Sequence, residues 1–233
     1  MGKGTIFLIP LPINSDEEFD KQLTPPIILS TVNKLNYFVV ENIRTARRFI
    51  KKINPSFDIN NSVFEVLNKR TEPKTIVNII KTLKSGQSIG LMSEAGCPGI
   101  ADPGSEICKL AHQNDIVIKP LIGPSSIILA LMASGLNGQI FSFHGYLPIN
   151  KEDRIQKIKI LNKKKGAHIF IETPYRNNQL LNDLLKNIKP LTKKITIATN
   201  LTAKNEKIIT KTVNEIKKLD LDLNKKPTIF IFE

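Results

Sequence analysis

The chain has 233 residues, of which 41% are apolar, and a formal net charge of +13. A chain of this length forms one large domain or two smaller ones and buries roughly 70% of its unfolded surface. No apolar run approaches the roughly 20 residues of a membrane span, so we expect no membrane protein. The two cysteines, Cys97 and Cys108, form no CxxC pair, so neither a disulfide framework nor a zinc site is expected. Only Lys3 gives charge before the first apolar segment, so we expect no signal peptide and a cytoplasmic location.

The positive charge suggests a nucleic-acid partner, but its composition weakens that interpretation. Lysine outnumbers arginine by 28 to 6, although arginine is the residue favoured for bidentate phosphate recognition. An excess of Lys, Ile and Asn is also what an AT-rich genome produces in any protein. The charge therefore favours an RNA partner only mildly, and the lysine-rich helix near residues 151–165 is also compatible with a solvated face.

Apolar segments alternate with helical patterns along the chain, which predicts an α/β fold with helices flanking each sheet. Near-continuous apolar runs are typical of strands buried on both faces. In chain order, strands are predicted at residues 5–9, 37–40, 87–92, 116–122, 140–143, 167–171, 195–198 and 227–232. Helices are predicted from Pro73 to Gly86, at 105–113 after the Asp102-Pro103 cap, at 127–133, and from Thr173-Pro174 through Ile188.

The boundary between two α/β domains is predicted near residue 121, because the Gly123-Pro124 turn changes the direction of the chain. The domains are then residues 1–121 and 122–233. Two lobes of this size leave a cleft between them, which is a position that ligands favour.

Two loops of small residues follow consecutive predicted strands. The first is residues 93–104, SEAGCPGIADPG, and the second is residues 123–126, GPSS. Glycine has no Cβ to hold a ligand away, and the helix that follows each loop offers unpaired N–H groups. Either loop alone is compatible with an ordinary connection, but the pair predicts two walls of one binding site.

Several common catalytic signatures are absent. The sequence contains no GxxxxGK[ST] phosphate loop and no GxSxG elbow, and the first strand is followed by PLPINS instead of GxGxxG. The histidines, His112, His144 and His168, have no metal-ligand spacing, so no metal is expected. Cys97 has no recognisable base partner and is therefore not favoured as a nucleophile.

Two polar segments come directly after predicted strands, where α/β proteins bind ligands. They are residues 41–44, ENIR, and residues 172–176, ETPYR. An arginine at such a position can hold a phosphate or carboxylate. The alternatives are a basic exposed helix face at Arg44, Arg47 and Arg48, and a plain helix cap at Thr173.

Seven segments, in the same order, resemble motifs of the tetrapyrrole methylase superfamily of S-adenosylmethionine-dependent methyltransferases. They are most similar to the branch that methylates a cytidine ribose 2′-hydroxyl of small-subunit ribosomal RNA. The motifs of that branch read TPIGN, EDTR, SDAGTPxxSDPG, PGPSA, GFLP, ES[PT]xR and ELTK. The corresponding segments are residues 11–15, 41–44, 93–104, 122–126, 145–148, 172–176 and 200–203. Each motif is weak alone, whereas seven in order over nearly the whole chain are specific.

The resemblance implies two α/β lobes with the methyl donor, S-adenosylmethionine, in the cleft between them, usually in a homodimer. Methyl transfer is an in-line displacement in which orientation supplies much of the acceleration. The donor contacts that the resemblance implies are Pro12, Ser93, Glu94, Ala95, Gly96, Ser125, Ser126, Glu172, Thr173, Leu201, Thr202, Pro227 and Thr228.

The sequence departs from the motifs mainly where the acceptor is expected. The substituted positions are Asn14 in TPIGN, Asn42 and Ile43 in EDTR, Glu94 in SDAG, and Asn200 and Ala203 in ELTK. The ribosomal branch also has a C-terminal extension beyond the position of Glu233. A ribose 2′-hydroxyl is a poor nucleophile, so its deprotonation matters to the rate. We take Glu41, Arg44 and His144 as catalytic candidates, and Arg47 and Arg176 as substrate-binding candidates.

The preferred function is therefore methylation of a ribose hydroxyl in small-subunit ribosomal RNA, with ribosomal RNA or the small subunit as partner. One alternative is methylation of a tetrapyrrole ring carbon, since residues 227–229 resemble the final strand of the wider superfamily. A second alternative is a non-catalytic RNA-binding paralogue. It is suggested by the departures from the family motifs at Asn42, Ile43, Asn200 and Ala203. Methyl label entering ribosomal particles supports the first function, while RNA affinity without methyl transfer supports the last.

Overall fold

The computed structural model describes residues 2–14, 24–68 and 70–233. The chain separates into two compact units, residues 1–125 and 126–233. The sequence analysis predicted a boundary between two domains at residue 121. Whether the two parts are separate domains stays a prediction. Ser15, the last residue of the first motif, lies outside the described residues.

The described part of the first unit forms one parallel sheet with helices between its strands. The strands are β1 (Thr5–Leu8), β2 (Tyr37–Val40), β3 (Val63–Val66), β4 (Ile89–Met92) and β5 (Val117–Pro120). The helices are α1 (Pro26–Val32), α2 (Ile43–Ile53), α3 (Pro73–Lys84) and α4 (Gly104–Gln113). The strand order is β3-β2-β4-β1-β5, and all four pairings are parallel.

Both faces of this sheet are covered, which explains the continuous apolar runs of its strands. Phe38 and Val40 of β2 pack into the core cluster formed with α1 and α2. Val39 points to the other face, into the cluster formed with α3 and α4. Because the strands are parallel, their carboxyl ends lie at one edge of the sheet, where the loops after β1, β2, β4 and β5 carry the motifs.

The second unit forms a mixed sheet. Its strands are β6 (Phe141–Tyr146), β7 (Ala167–Ile171), β8 (Lys194–Thr199), β9 (Lys207–Thr212) and β10 (Thr228–Phe232). Its helices are α5 (Ser126–Ser134), α6 (Lys151–Leu161), α7 (Asn177–Asn187) and α8 (Val213–Ile216). The strand order is β6-β7-β10-β8-β9. Strands β6 and β7 are parallel, and the other pairings are antiparallel.

The central strand β10 is buried along its whole length. Phe230 and Phe232 point into the cluster formed with α6, α7 and α8, while Ile229 and Ile231 point into the cluster formed with α5. The final apolar run of the sequence therefore forms the middle of the sheet, although it comes last in the chain.

The predicted α/β class is confirmed, and one predicted helix start is wrong. Helix α7 begins at Asn177, not at Thr173. The carbonyl of Thr173 accepts the N–H of Arg176 at 2.8 Å, which closes a turn before the helix. The Thr173 amide donates to the carboxylate of Glu172 at 2.7 Å, so Thr173 is not the helix cap.

The predicted cap of α4 is one residue too early: the helix begins at Gly104 with Pro103 at the N-cap position, and Asp102 precedes it. The carboxylate of Asp102 accepts the amide of Gly104 at 2.7 Å and the amide of Gly99 at 2.8 Å. Burial raises the pKa of Asp102 above its ordinary value, against the opposing effect of these hydrogen bonds. Asp102 therefore folds the loop back on itself at the start of the helix.

Within the described ranges, no helix is both long and apolar enough to cross a membrane. The same residues contain no group of three or more His, Cys, Asp or Glu side chains arranged to hold a metal ion.

Candidate active site

The loop after β1 and the loop after β4 are joined directly. The amide of Leu11 donates to the carbonyl of Gly96, and the amide of Gly96 donates to the carbonyl of Leu11, both at 2.9 Å. These reciprocal bonds form an isolated antiparallel bridge between the two loops. Leu11 and Gly96, which are 85 positions apart in the sequence, therefore share one backbone surface.

In the loop after β4, Gly96 has open space on the side where other residues have a Cβ. Gly96 has a φ of +68°, and among the described residues a Cβ built there meets the carbonyl oxygen of Pro124 alone, at 3.5 Å. The thiol of Cys97 lies 3.3 Å from the same carbonyl, and burial raises its pKa. The loop after β5 thus contacts the loop after β4, and Cys97 is a protonated packing residue there.

The polar segment after β2 reaches the same loop. The amide of Glu94 donates to the carboxylate of Glu41 at 3.3 Å, and Thr45 donates to the carboxylate of Glu94 at 3.3 Å. Asn42 caps α2 by accepting the amides of Arg44 at 2.9 Å and Thr45 at 3.4 Å. Glu41 and the start of α2 are therefore in direct contact with the loop after β4 at the edge of the sheet.

A second set of motif residues lies at one edge of the sheet in the second unit. Glu172 follows β7, is 6% exposed, and forms an ion pair with Arg176. Thr228 begins β10 and pairs with Thr199, the last residue of β8. The antiparallel pairing brings the ends of β7 and β8 to the beginning of β10, so these segments meet although they are far apart in sequence.

Asn177 is a functional candidate that the sequence analysis missed. It is fully buried, and its amide donates to the carbonyl of Lys226 at 2.6 Å and to the hydroxyl of Thr228 at 3.2 Å. Its neighbour Asn178 accepts the amide of Leu223 at 2.8 Å. The two asparagines therefore fasten the start of α7 to the segment that leads into β10. The only sequence signal was an Asn-Asn pair directly after the ETPYR motif.

Two buried polar atoms at this edge have no hydrogen-bond partner among the described residues. They are Nε of Arg176 and Oδ1 of Asn177. A buried polar group without a partner costs free energy, roughly 1–3 kcal/mol. The unpaired donor and the unpaired acceptor belong to adjacent residues at the start of α7.

The loop after β8 has an unusual backbone. Asn200 has a φ of +50° and Thr202 a φ of +70°, and the left-handed region is strained for a β-branched residue such as threonine. The amide of Thr202 donates to the carboxylate of Glu206 at 2.7 Å, and the amide of Asn200 to the carbonyl of Pro227 at 2.9 Å. Strain of this kind is concentrated at functional sites.

The three arginine candidates have different surroundings. Arg44 is exposed near the start of α2. The guanidinium of Arg47 lies over the ring of Phe64, 4.9 Å from its centroid. Arg176 forms an ion pair with Glu172, so its guanidinium also stabilises the loop between β7 and α7.

His144 lies on β6, an edge strand of the second sheet, and contacts side chains of the neighbouring strand β7. Its Nε2 is 3.1 Å from Nδ1 of His168, and its ring stacks on Phe170 with centroids 5.3 Å apart. Burial, then the charges of His168, Lys157 and Lys164, lower the pKa of His144 to about 4. A base is most effective when its pKa is near the working pH, so these surroundings count against the catalytic role predicted for His144.

The predicted donor contacts fall into two sets. The first unit contains Pro12, Ser93, Glu94, Ala95, Gly96 and Ser125. The second unit contains Ser126, Glu172, Thr173, Leu201, Thr202, Pro227 and Thr228. The contacts given above place Glu94 and Gly96 at one edge of the first sheet, and Glu172, Pro227 and Thr228 at one edge of the second.

Comparison with known proteins identifies the family. The sequence model of the family described as Tetrapyrrole (Corrin/Porphyrin) Methylases matches residues 21–217. The chain belongs to the tetrapyrrole methylase family. The resemblance drawn from the seven motifs is confirmed, and with it the predicted class of enzyme, a methyltransferase.

Curated relatives of this methylase have the name ribosomal RNA small subunit methyltransferase I. The protein of that name from Buchnera aphidicola is 31% identical over 205 residues, which is 88% of this chain and 69% of the relative. The Bacillus subtilis protein is 29% identical over 213 residues, with 91% and 69% covered. The Halalkalibacterium halodurans protein is 32% identical, and this chain spans only 60% of its length.

Solved structures of tetrapyrrole methylases share the fold at low sequence identity. The methyltransferase CobJ superposes with a TM-score of 0.66 at 14% identity, covering 100% of this chain and 94% of that one. A uroporphyrin-III C-methyltransferase from Thermus thermophilus, solved in complex with S-adenosylhomocysteine, gives 0.58 at 11% identity, covering 98% and 97%. At this identity the likeness establishes the fold alone.

Proposed function

We propose that this tetrapyrrole methylase is an S-adenosylmethionine-dependent methyltransferase that methylates a ribose 2′-hydroxyl of small-subunit ribosomal RNA. The names of the curated relatives and the order of the seven motifs support this proposal. One structural observation supports the proposed binding of S-adenosylmethionine most directly. It is the bridge between Leu11 and Gly96, which joins the first motif to the small-residue loop.

The residues present fit the donor. In the first unit, the proposed contacts are Pro12, Ser93, Glu94, Ala95, Gly96 and Ser125, where a small-residue loop leaves backbone accessible. In the second unit, they are Ser126, Glu172, Thr173, Leu201, Thr202, Pro227 and Thr228. The unpartnered Nε of Arg176 and Oδ1 of Asn177 lie at that edge and suit a ligand with both donors and acceptors.

The donor supplies an electrophilic methyl group when it is bound. The chain must then orient the acceptor hydroxyl and remove its proton. We assign that role to Glu41, because its carboxylate is fixed by the Glu94 amide beside the proposed donor contacts. The exposed Arg44 and Arg47 of α2, and Arg176 in the second unit, are proposed to contact acceptor phosphates, and His144 is retained only as a weaker candidate.

The cellular form follows from the family resemblance. We propose a cytoplasmic location and a homodimer; light scattering of the purified protein tests the dimer directly. A molar mass equal to a single chain under all conditions tested contradicts the dimer.

The experiment on function compares two glycines of the same loop. Gly96→Ala places a methyl group where the donor is proposed to approach the backbone, whereas Gly99→Ala adds one with no atom of the described residues within 4 Å. Both glycines have positive φ, +68° and +83°, so both variants bear the same strain, about 1–2 kcal/mol. We expect calorimetry to show donor affinity reduced about tenfold or more, equivalent to about 1.4 kcal/mol, in Gly96→Ala only.

Label transfer from S-adenosylmethionine then identifies the acceptor. We expect label in an unmodified transcript of small-subunit ribosomal RNA or in small ribosomal subunits, with Glu41→Gln lowering turnover about 10²–10⁴-fold. Label found in a tetrapyrrole and not in RNA shows that the acceptor is a ring carbon, which refutes the ribosomal acceptor. RNA binding without transfer to either acceptor supports the non-catalytic paralogue, and absence of donor binding by the unaltered protein refutes the methyltransferase.

A further inference from the structure

Two of the three tyrosines of the chain are exposed at one edge of the second sheet. Tyr146 is the last residue of β6 and is 56% exposed, and Tyr175 follows β7 and is 75% exposed. The third, Tyr37, is half-buried on β2, where its hydroxyl donates to the carboxylate of Glu65 at 3.4 Å. Because the chain has no tryptophan, these two residues supply its exposed tyrosine surface.

The pairing of two parallel strands places these tyrosines near one another. The Cα of Tyr146 is paired with that of Ile171, the last residue of β7. Tyr175 lies four positions after Ile171, in the turn that the amide of Arg176 closes on the carbonyl of Thr173 at 2.8 Å. Neighbouring strands are about 4.8 Å apart and four residues of chain span at most about 14 Å, so the two Cα atoms lie within about 20 Å of each other. A ligand as extended as a short single strand of RNA can therefore reach both side chains.

Both phenol rings are available to a ligand. Among the described residues, neither ring stacks on another aromatic ring and neither hydroxyl forms a hydrogen bond. Single exposed apolar residues are ordinary on protein surfaces, but here two large aromatic side chains share one edge. Glu172 and Thr173, two of the proposed donor contacts, follow β7 at the same edge. The rings therefore lie on segments that adjoin the proposed site of methyl transfer.

Basic side chains adjoin the turn that carries Tyr175. Arg176 follows Tyr175 directly, and its side chain is 27% exposed although it pairs with Glu172. The amide of Lys225 donates to the carbonyl of Pro174 at 3.1 Å, so the exposed Lys225 lies against this turn. Aromatic faces beside cations are the combination that binds single-stranded nucleic acid, because the bases stack on the rings and the phosphates are attracted to the cations.

We propose that Tyr146 and Tyr175 form a stacking platform for unpaired nucleobases of the acceptor RNA. This inference rests on the proposed function, and it specifies that the RNA is held as a single strand at the edge that carries Glu172 and Thr173. Every base has a π face, so stacking accepts any of them. The platform therefore holds the strand near the donor and leaves the choice of nucleotide to other contacts. A continuous duplex does not bind in this way, because its bases are stacked on one another.

The test replaces the two rings with and without loss of their aromatic surface. Tyr146→Leu with Tyr175→Leu removes the stacking faces, whereas Tyr146→Phe with Tyr175→Phe retains them and removes only the hydroxyls. Phe141→Leu is the matched control, because Phe141 is 40% exposed at the opposite end of β6. Affinity for an unmodified small-subunit ribosomal RNA transcript is measured over a salt series, with donor affinity measured by calorimetry in parallel.

The expected loss follows from the value of a stacked base. We expect RNA affinity to fall about tenfold for each leucine, equivalent to about 1.4 kcal/mol per base, and about 100-fold in the double leucine variant. The slope of log affinity against log salt concentration is expected to stay unchanged, because no charge is removed. We expect the double phenylalanine variant and Phe141→Leu to bind the RNA as the unaltered protein does.

Tyrosine fluorescence gives a second readout, because a base stacked on a phenol ring quenches its emission. We expect the RNA to quench the emission of the unaltered protein. In the double phenylalanine variant Tyr37 is the remaining tyrosine, and we expect the quenching to be lost while the affinity is kept. This measurement on the unaltered protein needs no variant, so absence of quenching by bound RNA overturns the platform even if the leucine variant fails to fold.

Each other outcome has a definite meaning. Equal RNA affinity in the double leucine variant and the unaltered protein overturns the platform, and it leaves the proposed function intact if the unaltered protein methylates the transcript. An equal loss in the double phenylalanine variant or in Phe141→Leu also overturns it, because the hydroxyls or exposed apolar surface in general then account for binding. A parallel loss of donor affinity overturns it as well, since the tyrosines then belong to the donor site. Failure of the unaltered protein to methylate the transcript refutes the proposed function itself.

Discussion

Replacing Asp183 with alanine leaves a buried guanidinium without its counterion. Arg154 of α6 is 2% exposed and Asp183 of α7 is 5% exposed. Both Nε and Nη2 of Arg154 donate to one carboxylate oxygen of Asp183, at 2.8 and 2.7 Å. The third nitrogen, Nη1, donates to the carbonyls of Pro148 at 3.1 Å and Ile149 at 2.8 Å. The pair thus joins two helices and the end of the Gly145–Pro148 motif.

Removing one partner of a buried ion pair costs about 3–5 kcal/mol, because the other charge stays buried and unpaired. For a chain of this size each kcal/mol lowers the thermal midpoint by about 2–4 °C, so Asp183→Ala is expected to melt about 10 °C lower. Replacing both partners with apolar residues of similar volume removes the uncompensated charge. Arg154→Met with Asp183→Leu is therefore expected to be more stable than either single variant.

The assay is thermal and urea denaturation at pH 7, followed by circular dichroism. It is applied to the unaltered protein, to Asp183→Ala, to Arg154→Met and Asp183→Leu singly, and to the Arg154→Met/Asp183→Leu double variant, the last three completing the cycle. The double-mutant cycle separates the interaction of the pair from the cost of each truncation. A loss below about 1 kcal/mol in Asp183→Ala refutes the reasoning, because that is the value of an exposed pair. Additive losses in the double variant refute it equally.

Two further predictions concern Asn177 and the histidine pair. Asn177→Leu removes the amide that joins α7 to the segment before β10. We expect the free energy of unfolding to fall by about 1–3 kcal/mol and the KM for the donor to rise. An unchanged KM means that the residue has a structural role alone. For His144, burial holds the folded-state pKa at about 4, below the unfolded value of about 6.5. The unfolded chain therefore binds more protons below pH 6.5, so the thermal midpoint should fall as pH drops from 7 towards 4. The pKa of His168 is lowered in the same direction by burial, and a His144→Gln variant should show a shallower pH dependence than the unaltered protein.

The strands were predictable because their apolar runs reflect burial on two faces. Strand β7 has the predicted bounds, Ala167–Ile171, and β10 begins one residue after its predicted start. Strand β3 and strand β9 escaped prediction because their outward side chains are polar or exposed, and in β9 Thr210 bonds to Thr196 across the sheet instead of entering a core.

The start of α7 was mispredicted because local sequence and local structure disagree there. Thr173-Pro174 is a typical opening for a helix, but Glu172 accepts the Thr173 amide and pairs with Arg176, which holds a turn at that position. The pairing of His144 with His168, and the contact of Asn177 with Thr228, join residues that no spacing rule relates. Both depend on strand order, which the sequence alone does not specify.

The departures from the family motifs are compatible with an intact site. Asn42 stands where the motif has aspartate, and its side chain caps α2 through the same oxygen position that an aspartate would use. Asn200 stands where the motif has glutamate, and its φ of +50° is one that asparagine tolerates better than most residues. The substitutions therefore remove charge on the proposed acceptor side, while the cap at Asn42 and the left-handed turn at Asn200 keep the local backbone of the two loops in place.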